Sequence, residues 1–306
     1  MNKPTALRSG DTVQIIAPAS PTNYEKITAM KMKLEGMGLS VVIGKSVLER
    51  RGYLAGTDSV RLQDLYEAFL NPNIRAVFCA RGGYGSARLL PSLDFPLLSH
   101  YPKIFWGYSD ITALHIAFQQ QSQLITFHGP MMEECGDENI DEETFASFEQ
   151  LFAPCCISLS ATERNVYPAF SYSITAPIVG GNLAVLTSTI GTPYEIQAQG
   201  KILFLEEVGE EPYRIDRMLN QLRLAGKLQQ CSGVILGDFH ECDPKKQTDS
   251  LTIPEIMYDY IVPYGIPILS GFPLGHCKPQ QGIPLGAHVT MNGAEQTLLF
   301  EPGIKT

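Results

Sequence analysis

What the chain lacks narrows its role before any motif is read. No stretch approaches roughly 18 uninterrupted apolar residues, which excludes an ordinary transmembrane helix. The opening MNKPTALRSGDTVQIIAPAS has no continuous apolar core followed by a small-residue cleavage site, so no secretory signal is expected. Basic residues do not cluster: no run exceeds a pair such as Lys245-Lys246, and the formal charge is −9. A nucleic-acid partner, which needs grouped Lys and Arg to neutralise phosphates, is therefore not expected. The seven cysteines are odd in number, scattered and never spaced C-x-x-C, which fits reduced thiols in the cytosol. No H-E-x-x-H occurs, neither His240-Glu241-Cys242-Asp243 nor His128 with Glu133 has metal-ligand spacing, and adjacent Cys155-Cys156 suits no tetrahedral site, so no metal is expected.

What is present is an ordinary folded composition, 44% apolar and 18% charged with 27 Gly and 21 Pro. Single cores stop growing at roughly 250 to 300 residues, so 306 residues point to two domains. The first half alternates short β-branched runs with helical patterns. Strands are expected at Thr12–Ala17, Leu39–Gly44, Ala76–Ala80, Ile104–Tyr108 and Ile125–His128, and helices at Tyr24–Gly36, Ser59–Asn71 and Asp110–Gln120. Such a series implies an α/β protein with a flavodoxin-like parallel sheet over residues 1–153, closed by a helical pattern at Thr144–Phe152. Residues 154–177 are polar and without sustained periodicity, and read as a connection. Residues 178–306 mix α and β: strands at Lys201–Glu207 and Gly233–Phe239, helices at Tyr213–Leu228 and Thr252–Gly265, and a Gly- and Pro-rich end.

Four places could carry chemistry. In Phe105-Trp106-Gly107-Tyr108-Ser109-Asp110-Ile111-Thr112 an apolar strand breaks at Ser109 into an amphipathic helix. A Ser at such a turn has its hydroxyl lifted out of the sheet beside helix N-terminal amides, although Ser is equally a good helix cap. The α/β-hydrolase elbow G-x-S-x-G would need Gly at the position of Ile111, which disfavours that fold. Arg81-Gly82-Gly83-Tyr84-Gly85-Ser86 follows the third strand, and its glycines let backbone amides approach a ligand, or simply make a tight turn. It lacks the G-K-[ST] of a P-loop and the G-x-G-x-x-G of a dinucleotide site, so no cofactor is expected. Lys201–Glu207 is an apolar strand ending in two carboxylates, Glu206 and Glu207, which strand alternation sends to opposite faces; plain surface solvation is the alternative. Last, His276 lies in the Gly/Pro-bounded loop Phe272-Pro273-Leu274-Gly275-His276-Cys277, where a catalytic or a merely exposed histidine are both open.

In order along nearly the whole chain, GDTVQIIAPAS, ARGGYGSARLLPSLDF, FWGYSDITALHIAF, HGPM, GGNLAVLTSTIGTPYE, ILFLEEVGEEPYRIDRMLNQLRLAG, GVILGDF and GFPLGH resemble the LD-carboxypeptidase family, which includes the microcin C self-immunity peptidases. The resemblance implies a cytoplasmic, homodimeric serine peptidase with a flavodoxin-like N-terminal half and a smaller β-rich α/β C-terminal half. It implies a triad of Ser109, Glu206 and His276, with Glu206 chosen over Glu207 because the family motif is Glu followed by a variable acidic residue. The oxyanion hole it implies maps onto backbone amides of Gly83 (or Gly82) and Asp110. The implied substrate is murein tetrapeptide, trimmed of its terminal D-Ala during wall recycling. Its carboxylates call for local basic groups, with Arg81 first and Arg88, Arg214 and Lys278 behind it, next to the Gly82 loop. One departure is that KPQQGIPLGAHV follows His276, where the family often has an Asn and a Thr-Leu-Pro segment. Alternatives are a microcin-type peptidase or amidase acting on acyl-sulfamoyl adenylates, and a non-catalytic anion- or peptide-binding module.

Overall fold

The computed structural model describes residues 1–245 and 249–306, so Lys246 of the Lys245-Lys246 pair lies outside the described residues. In chain order the strands are β1 (Thr12–Ile16), β2 (Ser40–Ile43), β3 (Ile74–Cys79), β4 (Ile104–Gly107), β5 (Thr126–His128), β6 (Ile157–Ser160), β7 (Ser173–Asn182), β8 (Ile202–Val208), β9 (Gly233–His240), β10 (Ile268–Leu269), β11 (Ile283–Leu285), β12 (His288–Asn292) and β13 (Thr297–Phe300). The chain divides into two units: Met1–Cys155 with Gln281–Leu285 and Pro302–Thr306, and Cys156–Gln280 with Gly286–Glu301.

In the first unit the sheet order is β11-β5-β4-β3-β1-β2. β1 to β5 are parallel and β11 joins β5 antiparallel at the edge. Read from β2, this is the 2-1-3-4-5 order of a flavodoxin-like fold, as the alternating pattern implied. The central strands are buried on both faces, which is why Ile104-Phe105-Trp106-Gly107 is a continuous apolar run. Trp106 stacks on Phe148 with ring centroids 4.6 Å apart and on Phe127 at 6.1 Å, while Phe105 meets Phe118 edge-on at 4.9 Å. Each such buried ring contributes about 2–3 kcal/mol, enough together to fix the end of β4 in place.

Helices Tyr24–Gly36 and Asp58–Leu70 fall where the periodicity puts them, each with a side-chain N-cap, Asn23 and Thr57. Two helices depart from expectation. The one after β4 opens as a 3-10 turn, Ser109–Ile111, before the α-helix Thr112–Ser122. Thr144–Phe152 is not one helix but a short α-helix, Glu142–Ala146, followed by the 3-10 segment Ser147–Leu151; its buried Phe148 and Leu151 stand three apart, the 3-10 repeat.

In the second unit the order is β10-β9-β8-β7-β12-β13-β6. β7 to β10 run parallel, and β12, β13 and β6 extend the sheet antiparallel. Helices Leu183–Ser188, Pro212–Leu224 and Ile253–Ile261 supply its α component. The stretch 154–177, expected as a connection, contains β6 and opens β7. Among the described residues no helix is long and apolar enough to cross a membrane.

Candidate active site

Ser109 stands at the carboxyl end of β4, the end of a parallel sheet where open α/β folds bind ligands. Tyr108 is still extended (φ −149°, ψ −163°), and Ser109 then turns left-handed at φ 59°. A non-glycine residue there costs about 1–2 kcal/mol. The turn is held from both sides. Before it, His115 Nε2–H donates to the Gly107 carbonyl at 2.7 Å. After it, Ile111 N–H donates to the Tyr108 carbonyl at 3.1 Å. Gly107 is required because a β-carbon there would lie 2.8 Å from that of Cys79. Burial depresses the His115 pKa to about 4, so the ring is neutral at physiological pH.

The glycine loop after β3 lies against this turn. A β-carbon on Gly82 would sit 2.9 Å from Ser109 Cβ and 3.1 Å from its Oγ, so only glycine leaves the hydroxyl room. Gly83 is left-handed (φ 94°), and a β-carbon there would collide with Ser20 Oγ. Ser20 binds the loop at both ends: its N–H donates to the Gly82 carbonyl (3.1 Å) and its Oγ accepts from Tyr84 N–H (3.1 Å). Asp110 is buried; its carboxylate accepts from Ser86 N–H at 2.8 Å, and its carbonyl accepts from Ser86 Oγ at 2.6 Å. Burial raises the Asp110 carboxyl above its ordinary range, while the Ser86 and Gly85 amides and the Arg61 charge pull the other way.

The two carboxylates of β8 behave quite differently from surface groups: Glu206 is 0% exposed and Glu207 2%. As strand alternation requires, they have different partners. Glu206 Oε2 pairs with His276 Nδ1 at 2.7 Å, and its Oε1 is buried without a hydrogen-bond partner among the described residues. Glu207 accepts from Asn182 Nδ2 (2.9 Å), Ala184 N–H (2.8 Å) and Val208 N–H (2.9 Å), capping the start of helix Leu183–Ser188. Burial is the main cause that lifts the Glu207 carboxyl above its ordinary range, against the pull of those donors. The pairing of β8 with β9 shifts register between Leu205 and Glu207, an irregularity centred on Glu206. The His276 loop is laid onto β9: Asp238 N–H donates to the Leu274 carbonyl at 2.7 Å. Gly275 follows in a left-handed conformation (φ 106°), where a β-carbon would meet Glu206 Cβ at 2.9 Å and Oε2 at 3.0 Å.

Thus the structure brings Glu206 to His276, and Gly82 and Asp110 to Ser109; Ser109 belongs to the first unit and the Glu–His pair to the second. Arg81 is exposed and donates to the Pro21 carbonyl at 3.1 Å. Arg88 is committed to Asp58 (2.8 Å) and Arg214 to Glu210 (3.3 Å), which leaves both poorly suited to a ligand, while Lys278 is exposed. Among the described residues no three His, Cys, Asp or Glu gather as a metal site. No role for His115, Ser86 or Arg61 follows from the sequence motifs. Arg61 had a signal: it shares a helical stripe with Leu65 and Ala68, all three buried, and a cation on an apolar stripe marks a buried charge.

A flavodoxin-like half with a serine at a strained strand-to-helix turn, and a second half with a buried carboxylate on an imidazole, hold the groups used by serine hydrolases. Residues 13–129 match the LD-carboxypeptidase N-terminal domain and residues 175–291 the LD-carboxypeptidase C-terminal domain. The chain belongs to the LD-carboxypeptidase family. It is 46% identical over 303 residues to a probable murein peptide carboxypeptidase of Bacillus subtilis, covering 99% of this chain and 95% of the relative. It is 33% identical over 291 residues to the murein tetrapeptide carboxypeptidase of Pseudomonas aeruginosa, covering 92% and 93%. Among solved structures it resembles a muramoyltetrapeptide carboxypeptidase from Oxalobacter formigenes (TM-score 0.85, 27% identity, 96% and 100% covered). An MccF-like protein from Bacillus anthracis is similar too (TM-score 0.88, 28% identity, 99% and 100% covered).

Proposed function

We propose that this protein is a serine LD-carboxypeptidase that releases the terminal D-Ala from murein tetrapeptide in the cytoplasm, with Ser109, His276 and Glu206 as its triad. The observation that carries the reading is the 2.7 Å contact between buried Glu206 and His276 Nδ1. A carboxylate accepting from Nδ1–H fixes the tautomer and puts the basic lone pair on Nε2. Buried, it also favours the imidazolium that forms when the ring takes a proton.

In the proposed reaction the Ser109 Oγ–H proton passes to His276 Nε2 as Oγ bonds to the carbonyl carbon of the diamino acid preceding D-Ala. The oxyanion is received by the amides of Gly83 and Asp110. The carbon–nitrogen bond then breaks, D-Ala leaves with the proton from His276, and water deacylates the enzyme by the same exchange in reverse. Arg81, exposed beside Gly82, is the cation proposed to meet a substrate carboxylate. No cofactor takes part, and two copies are proposed to pair as a homodimer, which light scattering in solution tests.

Mass spectrometry after incubation with murein tetrapeptide is expected to show tripeptide and free D-Ala. The Ser109→Ala protein should lose about 10⁴-fold or more in kcat with its fold intact. Turnover near the unmodified level in that variant rejects the assignment. An acyl-sulfamoyl adenylate in a parallel reaction separates the microcin-type alternative, and binding of tetrapeptide without any product would indicate a binding module.

A further inference from the structure

The two amides proposed for the oxyanion sit on separate stretches of chain: Gly83 in the loop after β3 and Asp110 in the turn after β4. Oxyanion donors work only when their spacing is held to about half an ångström, so something must fix one stretch against the other. Ser20 cannot, because its partners are Gly82 and Tyr84 on the glycine loop alone. Ser86 can. It ends the glycine loop, is fully buried, and grips Asp110 at two points: N–H to carboxylate at 2.8 Å and Oγ–H to carbonyl at 2.6 Å. Two bonds to one residue, one to its side chain and one to its main chain, restrict rotation as well as translation. The anchor below is equally buried: Arg61 Nη1 donates to the carbonyls of Gly85 (2.7 Å) and Pro18 (2.6 Å), tying the loop to the end of β1. A buried carboxylate beside a developing anion is unfavourable by itself, and the Ser86 amide and Arg61 offset that charge.

We infer that Ser86 is a positioning residue for the proposed oxyanion site, its two-point grip on Asp110 setting the separation of the Gly83 and Asp110 amides. The inference rests on the proposed Ser109 chemistry, and its test keeps the two apart. The probe is a tripeptide boronic acid whose boron replaces the scissile carbonyl carbon. Ser109 Oγ adds to boron, its proton goes to the imidazole, and the tetrahedral boronate occupies the oxyanion position.

Ser86→Ala removes the Oγ bond but keeps the N–H bond. One neutral hydrogen bond corresponds to about 10-fold, so kcat should fall about 10-fold and Ki for the boronate should rise by a similar factor, with KM nearly unchanged. Ser86→Thr, which restores the hydroxyl, should recover most of both. A merely structural role would lower kcat through loss of folded enzyme and leave Ki where it was; that result, or no change in either constant, overturns the inference. Should Ser86→Ala fold poorly, Asp110→Asn carries the same expectation, since an amide cannot accept from Ser86 with a full charge. Normal turnover in Ser109→Ala would remove the underlying reading and this inference with it. Inactive Ser109→Ala beside an unaltered Ser86→Ala removes the inference alone.

Discussion

The Ser109 turn and the Glu–His pair solve one problem by different means. Both stand at the carboxyl end of a parallel strand, β4 and β8, and both have a glycine pressed on a proposed site side chain, Gly82 on Ser109 and Gly275 on Glu206. At the first, the strained backbone belongs to the functional residue itself, with Ser109 at φ 59°. At the second, Glu206 lies in a strand and the left-handed conformation falls to Gly275, at φ 106°. The difference follows from side-chain length. A serine hydroxyl is one bond beyond Cβ with a single torsion, so where it can reach is set chiefly by its backbone. A glutamate reaches further with three torsions, so it is aimed by burial, by its partner and by the loop that closes over it.

The sharpest way to break this comparison is at β8, where two neighbouring carboxylates have opposite surroundings. On the proposed triad, Glu206→Gln should lower kcat by about 10³- to 10⁴-fold, as amide-for-carboxylate changes at the acid of a serine triad do, and leave thermal stability nearly intact. Glu207→Gln should do the reverse. Its three donors would face an amide, a mismatch of about 1–3 kcal/mol read as a lower melting temperature, with kcat changed severalfold at most. Steady-state kinetics and thermal melts on both variants decide it, and the opposite ranking would move the role to Glu207.

The paired glycines sharpen it further. Gly82→Ala and Gly275→Ala each place a β-carbon 2.9 Å from the Cβ of a proposed triad residue, so each should reduce kcat by about 10- to 100-fold. Only Gly275 is left-handed, so its variant alone should add about 1–2 kcal/mol of backbone strain. Gly209→Ala is the control, left-handed at φ 72° in open space, and should cost that strain without the loss of kcat. Equal activity in Gly275→Ala and Gly209→Ala would show that the contact with Glu206 has no bearing on catalysis.

Much of this was legible in the sequence, and the limits have physical causes. The parallel strands could be placed because two-face burial writes continuous apolar runs, and Ser109, Gly82 and His276 stood out because turns concentrate Gly, Pro and Ser. The alternative of plain surface solvation for the carboxylate pair does not hold, because β8 is buried on both faces, which its preceding run Ile202–Leu205 signals. Ser86 could not be found: a serine after Gly85 reads as a turn residue, and its grip on Asp110 spans 24 positions. Nor could β11 be placed, since Ile283–Leu285 pairs with β5 across more than half the chain.

His115 offers the smallest effect and bears on the Ser109 side alone. Its ring packs edge-on against Phe105 at 5.5 Å, Nδ1 has no hydrogen-bond partner among the described residues, and Nε2–H holds the carbonyl two residues before Ser109. Burial takes its pKa from 6.5 to about 4, so the unfolded chain binds a proton that the folded protein refuses. Stability from this group is therefore full above about pH 6.5 and is lost as pH falls toward 4. The loss is on the order of 1 kcal/mol by about pH 5.5 and about 3 kcal/mol near pH 4. Asp110 and Glu207, whose pKa values are raised, act with the opposite sign in the acid range, so the whole-protein profile is a sum. The difference between the protein and His115→Gln isolates one contribution. Glutamine can still donate to Gly107 but does not titrate, so denaturant melts should show a shallower acid loss in the variant between about pH 6.5 and 4. Parallel profiles would mean that the buried ring takes up its proton over the same pH range as in the unfolded chain, against a depressing effect of burial.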